Sequence, residues 1–161
     1  MSIHELSAVL WKERELLELL VFKLEVERLL LTSGKTRWIQ RASDEIERVT
    51  DRLGTLGLAR SVEVGAVSLE WGTSQDATLR ELVAAAPDGI WPEILESHLN
   101  GLLDLTNQIR ELRDANEQLL RAASRSTQET LAGTITSATT YNAQGNAASR
   151  AATSRLVDKD I

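Results

Sequence analysis

Between Ile3 and Leu31 apolar residues return every seven positions: Ile3, Leu10, Leu17, Leu24 and Leu31 share one register, Leu6 and Leu20 its companion, and Val9, Leu16 and Leu30 lie beside them. An α-helix brings such residues onto one face, so the spacing predicts a helix over about 3–31 with a broad apolar surface. Glu13 and Glu27 fall inside the seam and weaken a strict two-stranded coiled coil, while Trp11, Val21, Phe22, Val26 and Leu29 widen the apolar surface around it. A helix apolar on more than one side needs more than one neighbour. Each fully buried Leu contributes roughly 1.5–3 kcal/mol, so a dozen such side chains do not stay in water.

The neighbours follow in order. Thr32-Ser33-Gly34 predicts a short turn, and a second helix then shows a regular heptad of Ile39, Ala42, Ile46, Val49, Leu53 and Leu56, with Asp44, Glu45, Glu47, Arg48, Asp51 and Arg52 on its outer face. So short a turn predicts antiparallel packing on the first helix. Gly54, Gly57 and Gly65, with the Val-rich segment Val62 to Val67, leave a short strand as the competing reading. A lone strand has nothing to pair with, and Leu58, Val62, Ala66 and Leu69 keep helical spacing, so the second helix is expected over 36–71. Gly72 is a natural C-cap, and Thr73, Ser74 and Asp76 offer N-caps for a short helix over about 76–86 that carries Leu79, Leu82 and Val83 and that Pro87 stops.

Pro92 suits the first turn of a last helix, over 92–141, because its missing N–H would have been unpaired there. The seam runs Leu95, His98 or Leu99, Leu102, Leu105, Ile109, Leu112, Asn116 and Leu119. Beyond Leu120 the apolar residues thin to Leu131, Ile135 and Ala138 among Thr, Ser and Ala, a helix that is marginal alone and orders on a partner. The expected fold is all-α: an elongated antiparallel three-helix bundle, up-down-up, with a short extra helix before the long C-terminal helix. Residues 1–141 form a single helical-bundle domain, and 142–161, with little to bury, a flexible, disordered C-terminal tail.

Composition excludes several functions. A net charge of −6 with cations spread among anions leaves no basic patch for nucleic acid. The absence of Cys removes thiol chemistry and fits a reducing cytosol. The carboxylate-rich start is no signal peptide, and Leu29-Leu30-Leu31 is too short to span a bilayer, so a soluble protein is expected. His4 and His98 have no ligand partner at helical spacing, which argues against a metal. Neighbouring carboxylates such as Glu13 with Glu15 and Asp44 with Glu45 read as solvated helix faces, and no phosphate-binding glycine loop is present. No enzyme, no cofactor and no catalytic residue is expected.

Asn116 is either a buried amide that fixes register or a solvent-touching residue at the edge of the bundle. Trp38, Trp71 and Trp91 fall at helix ends, where large rings close a core. Tyr141 is the sole Tyr of the chain and lies beyond the last seam residue, a position suited to an interface anchor.

The Leu/Glu-rich first helix, Ser33-Gly34 before a heptad helix, Leu79-Arg80-Glu81-Leu82 after a Gly-closed segment, then Asn107, Asn116, Leu119, Leu120 and Tyr141-x-x-x-Gly145 together resemble the flagellar export chaperone FlgN family, over nearly the whole chain to Gly145. The order and the spacing from Asn-x-x-Leu-Leu to Tyr-x-x-x-Gly carry the resemblance. It implies a cytoplasmic type III secretion chaperone, a monomer or weak homodimer. Such a chaperone binds the C-terminal helical segments of hook-filament junction proteins, prevents their premature assembly and delivers them to the export gate. By the same resemblance Leu120, Ala123, Leu131, Ile135 and Ala138 would face the substrate protein, and Tyr141 with Gly145 would dock on the cytoplasmic domain of the export-gate membrane protein. The segment Val62 to Val67 departs from the family in its Val and Gly content, and the last stretch in its Thr and Ala content. The competing reading from the amphipathic pattern alone is a self-associating helical-bundle scaffold.

Overall fold

A computed structural model describes residues 2–140, and the regular structure among them is helical: α1 (Ser2–Thr32), a single 3₁₀ turn (Thr36–Trp38), α2 (Ile39–Trp71), α3 (Leu79–Ala85) and α4 (Trp91–Thr140). The chain divides into two compact units, Met1–Leu119 and Leu120–Ile161. In the first, α1, α2 and the early part of α4 pack as three antiparallel-connected helices, as the heptads predict. The direction of each is read from its cross-links. Ser2 Oγ donates to Glu70 Oε1 (2.6 Å), Arg60 pairs with Glu13 (2.7 Å) and Lys23 with Glu45 (2.7 Å), so α1 and α2 run antiparallel. His4 meets Trp91 edge-on at 4.7 Å, Ser7 lies 3.2 Å from His98, and Asn116 reaches Leu24, so α1 and α4 run parallel and the order is up-down-up.

α1 buries Ile3, Leu6, Leu10, Glu13, Leu20, Leu24 and Glu27, two positions of one heptad along its length. One core cluster joins Ile3, Leu6 and Leu10 to Val67, Ala77, Leu82, Leu95 and Leu102, and a second joins Leu20 and Leu24 to Val49 and Ile109; Leu17 touches both. The helix ends follow from local chemistry. Gly34 (φ 67°) and Gly72 (φ 70°) take the left-handed conformation that side chains resist, and Lys35 and Thr73 return their N–H groups to Leu30 and Ser68 five residues back, closing α1 and α2. The N-cap of α3 is Thr78 rather than Thr73, Ser74 or Asp76. Its hydroxyl accepts from the Glu81 N–H while Glu81 Oε2 accepts the Thr78 N–H at 2.6 Å, a capping box for which Thr73, Ser74 and Asp76 lack a Glu three residues on.

Two expectations change. Glu13 is buried, not solvated, because its seam position points it at Arg60 of α2. Trp38 is 43% exposed with Arg37 across its ring, so it closes neither core cluster, whereas Trp71 and Trp91 pack on the first. The residues 58–71 are helical, but Leu58, Val62 and Leu69 are exposed. The register set by Ile39 to Leu56 continues without a break through Arg60, Val64, Val67 and Trp71. A rigid helix therefore cannot also turn the Leu58 stripe inward.

Candidate functional site

The residues that the resemblance assigns to substrate lie on α4, in the second unit. At about 100° per residue, Leu120, Ala123, Leu131 and Ile135 fall within one sector of roughly 120°, together with Ser124, Thr127 and Thr134. Arg121, Arg125 and Glu129 fall outside that sector, so this side of the helix carries no formal charge from Leu120 to Thr136. Leu120 is 37%, Leu131 59% and Ile135 67% exposed, and Ala123 is exposed.

The threonines make this face less polar than their count suggests. Thr127 Oγ1 donates to the Ala123 carbonyl (3.0 Å), Thr130 to Ser126 (2.8 Å), Thr134 to Thr130 (2.8 Å) and Thr136 to Ala132 (2.8 Å). A hydroxyl bonded one turn back has its donor satisfied by the helix itself, which leaves the methyl group as the outward surface. The thin stripe of Leu131 and Ile135 is thereby broadened by methyl groups of Thr127 and Thr134. α4 extends through Thr140 and so includes Ala138; Tyr141 and Gly145 lie outside the described residues.

The first unit holds a polar layer that sequence reasoning only partly found. Asn116, 2% exposed, donates from Nδ2 to the Leu24 carbonyl (2.9 Å) and to Glu27 Oε1 (3.0 Å), and Ser43 Oγ donates to Glu27 Oε2 (2.9 Å). One buried carboxylate thus ties α1 to both α2 and α4, which settles Asn116 as the register-fixing amide. The available signal was Glu13 and Glu27, fourteen residues apart in one heptad position. His98 is buried against Ser7 and edge-on to Trp11 at 5.0 Å, and burial with the nearby Arg14 guanidinium holds its pKa below the ordinary 6.5. A surface cleft of about 450 Å³ beside it is lined by Ser7, Trp11, Trp91 and Ile94. His98 and Asn116 pack the bundle; His98 Nε2 meets the Ser7 hydroxyl, but its Nδ1 has no hydrogen-bond partner to orient the ring as a base would need.

Among the described residues no cluster of three His, Cys, Asp or Glu is placed to hold a metal ion, and no helix is long and apolar enough to cross a membrane. The sequence profile of the FlgN protein family matches residues 1–149 of this chain. No curated protein and no solved structure matches it. With the match covering most of its length, the chain belongs to the FlgN family, which is non-enzymatic.

Proposed function

We infer, from membership of the FlgN family of flagellar export chaperones for hook-associated proteins, that cargo binds the uncharged side of α4 formed by Leu120, Ala123, Leu131, Ile135 and Ala138. The cargo element is an amphipathic helical segment at the C-terminus of a hook-filament junction protein, laid along this side by its apolar residues. What carries the reading is the exposure of Leu131 and Ile135 on a side free of charge and flanked by internally bonded threonines. Binding there holds the segment away from its own assembly partners. Tyr141 and Gly145 dock the loaded chaperone on the cytoplasmic domain of the export-gate membrane protein, so the protein works in the cytoplasm.

Calorimetry of each variant against the cargo segment tests both parts. Leu131→Asp and Ile135→Asp are each expected to weaken binding by about tenfold or more, the loss of one buried aliphatic contact, with circular dichroism of the free chaperone unchanged. Tyr141→Ala is expected to keep cargo binding and lose gate binding. Unaltered cargo affinity in both Asp variants sinks the site, and normal secretion by Tyr141→Ala sinks the docking role.

A further inference from the structure

Trp11 belongs to neither core cluster and is 54% exposed, so packing does not account for it. It stands on α1 one turn after Ser7. On α4, Trp91, Ile94 and His98 follow at helical spacing, with Glu93 beside them. α1 and α4 run parallel, and Ser7 lies 3.2 Å from His98, so the two series enclose a surface cleft of about 450 Å³. That volume suits one long side chain and the backbone that carries it. The lining holds two indoles, an Ile, an imidazole, hydroxyls and one carboxylate, and neither Lys nor Arg. The imidazole adds no positive charge at neutral pH, because burial, and then Arg14, lower the His98 pKa. Glu93 is exposed, and among the described residues its carboxylate has no ion pair. The cleft therefore carries one unpaired negative charge beside two aromatic rings.

We propose that this cleft receives an arginine side chain of a partner protein, its guanidinium against Trp11 and Trp91 and paired with Glu93. Indole attracts cations through its quadrupole more strongly than the other aromatic rings. Trp11 already does so once: the Arg14 guanidinium lies 4.7 Å from its ring centroid. Arg14 does not line the cleft. It packs on α4 at Gly101, where an added Cβ would come within 2.8 Å of the guanidinium, and the cleft opens on the Ser7 side of the indole. A second guanidinium stacks by its faces and donates in its plane, so one group serves the rings and the carboxylate together, which an ammonium does less well. Its aliphatic stem meets Ile94. An uncharged side chain would leave Glu93 unpaired, and an anion would be repelled by it in a chain of net charge −6. The cleft lies in the first unit and shares no residue with the cargo side of α4. One such contact is weak by itself, with Kd on the order of a millimolar.

Titration followed by nuclear magnetic resonance reads the indole N–H of each of the four Trp separately. The probe is the peptide acetyl-Ala-Ala-Arg-Ala-Ala-amide, and its control carries citrulline, an uncharged analogue of the same shape, in place of Arg. The Arg peptide is expected to shift the Trp11 and Trp91 signals saturably and to leave Trp38 in place, with the citrulline peptide at least about tenfold weaker. Glu93→Gln and Trp11→Leu each raise the Kd about threefold to tenfold. Both residues are exposed, so circular dichroism stays unchanged. Trp38→Leu binds as the unmodified chain does, since that ring carries Arg37 at 4.8 Å outside the cleft. No saturable shift at about 50 mM peptide, shifts shared equally by Trp38, or equal affinity for the citrulline peptide overturns the proposal. Unchanged affinity in both Glu93→Gln and Trp11→Leu overturns it equally.

Discussion

Replacing Asn116 by Leu tests the polar layer that joins the three long helices of the first unit. The substitution removes one hydrogen bond to the Leu24 carbonyl and one to the Glu27 carboxylate. A neutral bond contributes about 0.5–1.5 kcal/mol and one to a charged group about 1.5–3 kcal/mol, so a loss of about 2–4 kcal/mol is expected. Glu27→Leu strips Asn116 of the stronger bond and frees Ser43, which is half-buried and can turn to water, for an expected loss of about 2–3 kcal/mol. In the double variant no buried carboxylate or amide is left unpaired, and two apolar side chains fill the layer. Its stability is expected to lie within about 1 kcal/mol of the unmodified chain, well above either single variant. Urea unfolding followed by circular dichroism reads the cycle. With a slope of about 1–3 kcal/mol per molar, each single variant shifts the midpoint down by roughly 1–2 M. Additive losses in the cycle, or a change below about 0.5 kcal/mol for Asn116→Leu, would refute the coupled layer.

Stability should also depend on pH through His98. Its folded pKa is lowered by burial and by Arg14, so the unfolded chain takes up the proton first, and stability is full above about 6.5 and falls as pH drops below it. Urea midpoints on either side of that value should differ in the unmodified chain and converge in His98→Gln. Thr78→Ala removes the hydroxyl half of the α3 capping box, leaving the backbone N–H to the Glu81 carboxylate, and should cost about 1 kcal/mol, seen as a Tm lower by a few degrees; an unchanged Tm would mean the hydroxyl cap contributes nothing. The Glu81 carboxyl, held below its ordinary 4.5 by the Thr78 N–H and hydroxyl, keeps this box intact above 4.5 and releases it as pH falls through the lowered pKa.

Much of the fold was legible because heptad spacing and helix punctuation are local. Leu95, His98, Leu102, Ile109 and Asn116 are buried along α4 at the spacing read from the chain, and Gly72 ends α2 where its conformational freedom is needed. The Leu131 and Ile135 stripe is visible for the same reason. Position in a helix determines which side a residue shares with its neighbours, and the charges of Arg121, Arg125 and Glu129 mark the opposite side.

Direction across the bundle was not local. The pattern Leu58, Val62, Ala66 and Leu69 is as helical as Ile39, Ala42, Ile46 and Val49, yet the first is mostly exposed and the second packs. Likewise Glu13 and Glu15 look alike in the sequence, but Glu13 faces Arg60 and Glu15 faces solvent. Periodicity alone determined that this chain forms long amphipathic helices and where they stop. Only packing decided which of two apolar stripes on α2 is core and which carboxylates are buried, because a rigid helix presents one side to its neighbours and the partner that satisfies a charge comes from a distant part of the chain.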